Sequence, residues 1–340
     1  MKPTVFKLCA GAGVLAALAT PAAGVAYQWR TTRREDETVP GLGERVDVGG
    51  YRLHVRTEGL AGDGPTVVFE SGMSCPLEVW SWIQPEIARD APAVAYDRAG
   101  LGWSERGPRP RTADEMLAEL ETVLEVSGAK PPYVLVGHSF GGLLVRHFAQ
   151  RHPELTAGVV LVDASHPEQL VRSARQALGL PLMKATIQDS TVLATFGVNR
   201  LSKRYVVSDV EYLPSAARAA ACARMLTRRT WRTTGEELRS WLTDVNDKVR
   251  DAKLPADLPL AVLTAGEVSR SDPVHNELQD DLAALSANSR RLVVSGASHL
   301  GLIMREQFAK YVTEAVADVV RAARAGGRMD SEPTQTGSGR

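Results

Sequence analysis

The chain has 340 residues, of which 44% are hydrophobic and 24% are charged, so a globular protein with a sizeable core is expected. Forty basic residues balance forty acidic residues, which disfavours nucleic acid or a polyanion as a partner. The three cysteines have no metal-ligand spacing, and nothing in the sequence implies a metal or an organic cofactor.

The N-terminal part of the chain contains an uncharged run from Leu8 to Trp29. As a helix this run would be about 33 Å long, which is enough to cross a bilayer. Small-residue stretches within it would also suit a signal-peptide cleavage site. We therefore expect residues 1–43 to form a hydrophobic segment and a linker. The segment would be an uncleaved membrane anchor or the signal of an exported protein, with a core helix as a third interpretation. The polar residues 30–43 are predicted to be the linker.

The next hundred residues predict strands and helices in turn. Alternating apolar positions on either side of Gly49-Gly50 predict a β-hairpin, and two short apolar runs predict buried strands. Thr112 and Glu115 form a capping box at the start of an amphipathic helix. The predicted elements are hairpin strands at Arg45–Val48 and Tyr51–Arg56, buried strands at Thr66–Phe69 and Ala93–Tyr96, and helices at Trp80–Ala88 and Thr112–Val126.

A strand, a sharp turn and a helix meet at Ser139. The apolar run Tyr133–Val136 leads into Gly137-His138-Ser139-Phe140-Gly141, and a helical stretch follows at Leu143–Gln150. A turn this tight needs glycine where a Cβ would clash, and the backbone strain at its apex is worth about 1–3 kcal/mol. Such strain is typical of functional sites. We therefore expect the Ser139 hydroxyl to be presented at the edge of a sheet.

The remainder of the chain returns to strands after a helical insertion. A buried run at Gly158–Val162 ends at Asp163, and residues 167–255 are rich in Arg, Ala and Leu with helical spacing. We expect an α/β core over residues 44–166 and 256–325, a helical cap over 167–255, and a disordered tail over 326–340. The later core elements are predicted as strands at Leu260–Thr264 and Arg291–Val294 and helices at Asn276–Leu285 and Arg305–Arg321.

Strands alternating with helices predict a mostly parallel sheet covered by helices on both faces. Such sheets bind ligands at the carboxyl ends of their strands. Ser139, Asp163, His299 and the loop Ser71–Ser74 all follow predicted strand ends. We therefore expect these four features to converge at one edge of the sheet.

This combination of motifs resembles the serine hydrolases of the α/β-hydrolase fold, from about Glu44 to about Arg321. The resemblance implies an α/β fold with a mostly parallel sheet, a helical cap and a Ser/His/acid triad. Asp97-Arg98-Ala99-Gly100-Leu101-Gly102-Trp103-Ser104 resembles a turn of that family, which we interpret as structural. Ser139 at the elbow disfavours dehalogenase and epoxide hydrolase chemistry, because those relatives carry an aspartate nucleophile there.

A serine hydroxyl needs a base, and seven histidines are available. His299 follows the last predicted strand, comes after the serine and an acid in the chain, and matches the position of the family's base. His166 is a second candidate. His138 is expected to point away from Ser139, and we expect the other histidines, His275 among them, to lie in or beside helices and strands.

Three residues are candidates for the acid that orients the histidine. In most of the family this acid follows the strand predicted at Leu260–Thr264, in a Gly-Glu-x-Asp sequence. Here Gly266-Glu267-Val268-Ser269 has serine in place of the aspartate. Other members place the acid one strand earlier, where this chain has Asp163. We rank Asp163 first, Asp272 second and Glu267 third.

Two backbone N–H groups are expected to form an oxyanion hole. The resemblance assigns one to Phe140 and the other to the loop after Thr66–Phe69, where we expect the N–H of Met73. Many relatives begin this loop with His-Gly, whereas this chain has Ser71-Gly72. Because the donor is backbone, the serine should affect only how the loop is anchored. Trp80 is expected to pack rather than to contact substrate.

Apolar residues of the cap are candidates to line an acyl pocket, although more of them should pack against the core. The cap arginines could bind an anionic substrate, but we expect a solvated helix face. The candidate pocket residues are Leu178, Leu180, Leu182, Met183, Ile187, Val192, Phe196, Met225, Leu226 and Trp231, and the arginines are Arg224, Arg228, Arg229 and Arg232.

The sequence thus predicts a membrane-anchored or exported serine hydrolase that cleaves an ester or another activated acyl bond of a small to medium apolar substrate. The same triad could instead hydrolyse an amide, a lactone or a C–C bond, or catalyse cofactor-free perhydrolysis. A non-catalytic ligand-binding member of the fold is the third alternative. The expected partners are a small ester-like substrate and, if the N-terminal segment is retained, a membrane. No oligomeric state is defined.

Overall fold

In the computed structural model, the described residues are 3–108, 110–202 and 208–329, with side chains from residue 21 onward. Residues 326–329 of the predicted tail belong to this described part of the chain, and residues 330–340 lie outside it. Eight strands form one sheet: β1 (Glu44–Asp47), β2 (Arg52–Glu58), β3 (Thr66–Glu70), β4 (Ala93–Tyr96), β5 (Tyr133–His138), β6 (Thr156–Val162), β7 (Leu260–Ala265) and β8 (Ser289–Val294).

The sheet has the order β1-β2-β4-β3-β5-β6-β7-β8. Strand β2 pairs antiparallel with β1 and β4, and all other neighbours are parallel. Successive residues of a strand face opposite sides, so Leu135 of β5 packs in one apolar cluster while Val134 and Val136 pack in another. This two-sided burial confirms the predicted α/β class, with a mostly parallel sheet wrapped by helices.

Helices cover both faces of the sheet and fill the long connection between β6 and β7. The helices outside that connection are α1 (Pro3–Thr38), α2 (Gln84–Ile87), α3 (Ala113–Val126), α4 (Gly141–Arg151), α11 (Gly266–Ser271), α12 (Pro273–Ala283), α13 (Gly301–Met304) and α14 (Glu306–Ala325). The connection holds α5 (Gln169–Arg172), α6 (Ala174–Thr195), α7 (Val198–Leu201), α8 (Ser215–Met225), α9 (Arg228–Ser240) and α10 (Asn246–Val249), and we refer to residues 167–255 as the cap.

Two predictions of local structure were wrong. Helix α1 continues to Thr38, so the linker shrinks to the residues after it. Asp36 and Glu35 pair with Arg224 and Arg200 of the cap, which holds this charged turn in place. The helix predicted over Trp80–Ala88 is a 3-10 turn (Leu77–Trp80) followed by α2, whose Pro85 cannot donate the hydrogen bond that a continuous helix requires.

The N-terminal helix contacts the cap through its second half. Gly24 lies against Phe196, and Gln28 donates a hydrogen bond to the Leu226 carbonyl (3.4 Å). Within the part of the chain that the structure describes, no helix combines the length and the apolar character that crossing a membrane requires.

Candidate active site

The turn after β5 places Ser139 at the carboxyl edge of the sheet. Ser139 has φ of +54°, in the left-handed region that non-glycine residues rarely adopt. A Cβ on Gly137 would lie 2.7 Å from the Gly141 carbonyl oxygen, and one on Gly141 would lie 2.3 Å from that of Glu70. The backbone N–H of Ser139 donates to the Val162 carbonyl (3.1 Å), which ties the strained turn to β6. The glycines of the motif are therefore required by close backbone contacts.

Asp163, directly after β6, also has a positive φ, of +43°. Its carboxylate is buried and receives three hydrogen bonds. His299 Nδ1 lies 2.6 Å from Oδ2, while His275 Nε2 and the backbone N–H of Ala265 each lie 2.9 Å from Oδ1. Burial opposes ionisation of Asp163, but the hydrogen bonds from His275 and His299 outweigh it and hold the pKa of this carboxyl well below its ordinary value.

His299 lies in the loop between β8 and α13, with its side chain about 40% exposed. His138 packs against His299: the two ring centroids are 4.6 Å apart, and His138 Nε2 lies 3.1 Å from the His299 carbonyl oxygen. Because a carbonyl only accepts, His138 carries its hydrogen on Nε2. Burial, followed by the proximity of His299, lowers the pKa of His138 to about 3, so this ring is neutral at physiological pH.

The structure brings Asp163, and neither of the other candidate acids, into hydrogen-bond contact with His299. Asp272 accepts hydrogen bonds from Ser173 Oγ (2.6 Å) and Gln176 Nε2 (3.1 Å), both at the start of α6. Glu267 is exposed on α11. His166, the second candidate base, accepts a hydrogen bond from the Glu168 N–H at Nδ1 (3.1 Å).

The loop after β3 lies opposite Ser139 and is held by two neighbouring side chains. Trp80 Nε1 donates to Ser71 Oγ (2.9 Å), which shows how serine anchors the loop at this position. Arg98 is fully buried and donates to the carbonyl oxygens of Ser71 (2.6 Å) and Gly72 (3.1 Å). Two buried carboxylates flank the same guanidinium, Glu70 of β3 and Glu237 of α9 in the cap. The loop position is therefore linked to the position of the cap.

Ser139, His299 and Met73 line one cavity of about 460 Å³ between the sheet edge and the cap. Apart from its histidines, the described residues that line the cavity have uncharged side chains. Four of the predicted pocket residues line it, namely Leu182, Met183, Ile187 and Trp231. Phe140 is fully buried at the start of α4, where helix N–H groups favour negative charge.

Other predicted pocket residues have different roles. Leu178 and Val192 are largely exposed on α6, at 80% and 57%, whereas Met225 and Leu226 are buried. These residues share helical spacing with the lining residues, and only the packed structure shows which side of each helix faces the cavity.

The interpretation of the cap arginines as a solvated face was wrong for two of the four. Arg224 is 3% exposed, pairs with Asp36 and stacks on the Trp103 ring at 3.5 Å. Arg229 donates to the Gly102 carbonyl (2.6 Å). Both side chains fasten the cap to the turn that begins at Asp97, and neither lines the cavity. That turn is structural as expected, since Asp97 accepts from the N–H groups of Leu77 and Trp103.

Sequence analysis missed two histidines at this site. His138 was expected to point away from Ser139, but its ring lines the cavity and packs on His299. His275 was expected to lie in or beside a helix or strand, and it lies in the first turn of α12. Only the short helix α11 and Asp272 separate that turn from β7, so it begins near the edge of the sheet that holds Ser139. Proximity to a strand end was the signal that could have identified it.

Comparison with known proteins gives a consistent fold assignment. A sequence model of the alpha/beta hydrolase fold matches residues 65–305. An uncharacterised Bacillus subtilis protein, YbdG, is 30% identical over 145 residues, which are 43% of this chain and 45% of YbdG. The chain thus aligns with less than half the length of that curated relative.

Solved structures with a similar fold include an epoxide hydrolase and an enol-lactonase. The Cif epoxide hydrolase of Acinetobacter nosocomialis has a TM-score of 0.67 at 16% identity, covering 87% of this chain and 96% of that one. The enol-lactonase of Burkholderia xenovorans has a TM-score of 0.58 at 19% identity, covering 82% of this chain and 100% of that one. At these identities the likeness concerns the fold alone.

Proposed function

The chain belongs to the α/β-hydrolase fold family, and we propose that it is a serine hydrolase which cleaves an ester or another activated acyl bond of a small to medium apolar substrate. The observation that carries the proposal is the hydrogen bond of 2.6 Å between His299 and buried Asp163, at the edge of a cavity that Ser139 also lines. A serine on a strained turn, a histidine and an ionised acid are the groups that acyl transfer requires.

In the proposed mechanism, Ser139 Oγ attacks the acyl carbonyl while His299 Nε2 takes its proton. His299 Nδ1 donates to Asp163, which leaves Nε2 free to act as the base. The N–H groups of Met73 and Phe140 stabilise the oxyanion, and each such donor contributes about 10²–10³ in rate. His299 then protonates the leaving group, and water, activated by the same imidazole, hydrolyses the acyl-enzyme.

The lining of the cavity supports the proposed substrate class. Leu182, Met183, Ile187 and Trp231 offer an apolar surface to an acyl or alcohol group. The arginines Arg224 and Arg229, which could have selected an anion, are bound elsewhere. An uncharged, mainly apolar substrate therefore fits this site better than an anionic one.

A panel of p-nitrophenyl esters with increasing acyl length tests the proposal. We expect the wild-type protein to hydrolyse at least the shorter members, and Ser139→Ala to lose turnover by about 10³-fold or more with nearly unchanged thermal stability. Amide, lactone and peracid-forming reactions belong in the same panel. Equal ester hydrolysis by wild type and Ser139→Ala would contradict the proposal, as would loss of stability in that variant, because the serine would then be structural.

Localisation is a separate proposal, motivated by the uncharged run from Leu8 to Trp29. We propose that this part of α1 anchors the protein to a membrane or serves as an export signal. N-terminal sequencing of protein from fractionated cells tests it: an intact N-terminus in the membrane fraction supports an anchor, and a trimmed chain supports a signal. An intact chain found only in the soluble cell interior would contradict both.

A further inference from the structure

The Asp163 carboxylate is shared between two imidazoles, and the proposed mechanism uses only one of them. His299 bonds to Oδ2, whereas His275 bonds to Oδ1 from the opposite side. The His275 side chain is about 8% exposed and does not line the cavity, so it is placed to act on Asp163 rather than on substrate. We propose that His275 is a positioning residue that fixes the Asp163 carboxylate for His299 and links it to the cap. This inference rests on the proposed function.

The hydrogen-bond donors around His275 define its tautomer. An ionised carboxylate only accepts, so His275 must carry its hydrogen on Nε2. Its Nδ1 is then an acceptor, and Gln176 Nε2 of α6 lies 3.4 Å from it. The same Gln176 amide donates to Asp272, which also receives the Ser173 hydroxyl. A continuous polar chain therefore runs from the first turn of α6 in the cap to the acid of the triad.

The geometry explains why a second histidine is useful here. The Ala265 N–H and His275 both bind Oδ1, which leaves Oδ2 for His299. A carboxylate held by three donors cannot rotate away from the base. If His275 is removed, Oδ1 keeps one donor, and the less compensated negative charge of Asp163 acts more strongly on His299. The imidazolium form of His299 should then be favoured, so its titration should move to higher pH.

Among the described residues, Asp209 and Arg305 form a further charged pair beside the His299 loop, because Asp209 accepts from Ser298 Oγ (2.7 Å) and from Arg305 Nε (2.8 Å). His299 faces Asp163 and His138, and His138 stays neutral because burial lowers its pKa to about 3. His275 faces Asp163 on one side, and Gln176 and Asp272 on the other. Hydrogen bonds from Ser173 and Gln176 hold the pKa of Asp272 below its ordinary value despite burial, so Asp272 stays ionised throughout.

The test compares His275→Phe with His275→Gln in the full-length protein. Phenylalanine removes the donor, whereas glutamine retains an N–H that can reach Asp163. We expect His275→Phe to lower kcat by about tenfold or more with little change in KM, since the base is misplaced while the cavity is intact. The acid limb of the pH profile should move to higher pH. His275→Gln should restore most of both values.

The matched control is His147→Phe. His147 is equally buried and bonds to Asp114 at 3.0 Å, far along α4 from the elbow. The His147→Phe variant should change the stability of the fold without shifting the acid limb of the pH profile. A His275→Phe variant with wild-type kcat and acid limb would overturn the proposal. So would a loss of activity that only follows the folded fraction and is not rescued by glutamine.

A second readout is independent of turnover. Nitrogen-15 NMR of labelled histidines follows the titration of His299 directly in wild type and in His275→Phe. A midpoint that rises in the variant supports the positioning role even if no ester in the panel is a substrate. An unchanged midpoint overturns it even if wild type is an active esterase. Failure of the inference and failure of the proposed function are thereby distinguished.

Discussion

At the scale of single residues, Asp163 and Asp272 differ in what they bind. Both carboxylates are buried, yet only Asp163 contacts His299, while Asp272 holds Ser173 and Gln176 at the start of α6. A motif-based assignment would have searched after β7, where Asp272 lies. Ser269, at the position where the family resemblance predicts the acid, instead donates to Asn276 (2.6 Å).

Asparagine substitution separates the two acids. Asp163→Asn should lower kcat by about 10³–10⁴, because an amide can hold His299 in the wrong tautomer. Asp272→Asn should retain most of the turnover, since its bonds only fasten the cap. Steady-state kinetics with equal amounts of folded protein measures both. If Asp272→Asn were the more damaging variant, the assignment of the acid would be reversed.

The positions of Ser139 and His299 beside one cavity could be predicted from sequence, because each lies in the turn or loop that follows a strand. The contact between Asp163 and His275 could not, since 112 positions separate the two residues and no local pattern links them. The same limit applies to Arg224, whose partners come from α1 and from the turn after β4. Local sequence patterns identify strand ends, but they do not identify which side chains from distant parts of the chain pack beside those ends.

At the scale of elements, the loop after β3 depends on a helix of the cap. Arg98 holds the Ser71 and Gly72 carbonyls while it pairs with Glu70 and Glu237, and all three charged side chains are about 1% exposed or less. Removing one member of such a buried set leaves charge uncompensated, which is costly. Movement of α9 should therefore be transmitted to the loop that carries Met73.

Glu237→Gln tests this coupling with minimal change of shape. We expect kcat of the variant to fall by a larger factor than the factor by which KM changes. The reason is that the loop after β3 loses part of its support while the apolar cavity is unchanged. Glu236→Gln is the matched control on the same helix. Its ion pairs with Arg106 and Arg232 lie nearer the surface and should contribute under about 1 kcal/mol. Indistinguishable kinetics for the two variants would show that the cap does not support the loop.

Element boundaries show which predictions depend on local chemistry. Thr112 accepts the Glu115 N–H at the start of α3, as the capping box predicts (3.2 Å). The sequence predicts that the N-terminal helix ends before residue 30, because polar residues 30–38 have no apolar face. Tertiary ion pairs with Arg200 and Arg224 now account for that turn. Contacts that form only after folding therefore decided this boundary.

At the scale of the whole molecule, stability should vary with pH because of a buried acid. Burial, then the charge of Asp97, raises the pKa of Glu78 from 4.5 to about 7. Between these values the folded state binds more protons than the unfolded state, so stability falls as pH rises through this range. Above pH 7 the full cost of ionising Glu78 in the core is present, at most about 3 kcal/mol.

Glu78→Gln should remove this dependence. Urea unfolding should give the variant a larger gain over wild type at pH 8 than at pH 5, where Glu78 is already protonated in the folded state. The control is Glu86→Gln, because the Glu86 side chain on α2 is partly exposed. Its change in the free energy of unfolding relative to wild type should be the same at both pH values. A gain that is equal at pH 5 and pH 8 would show that Glu78 does not titrate between them.

The covalent chemistry of Ser139 gives the most direct test of the account. A fluorophosphonate probe reacts with a serine that a neighbouring base has activated, and peptide mapping by mass spectrometry locates the adduct. We predict stoichiometric labelling of the wild-type chain at Ser139, abolished in Ser139→Ala and strongly slowed in His299→Ala. A folded wild-type protein that stays unlabelled, or an adduct at another residue, would contradict the account.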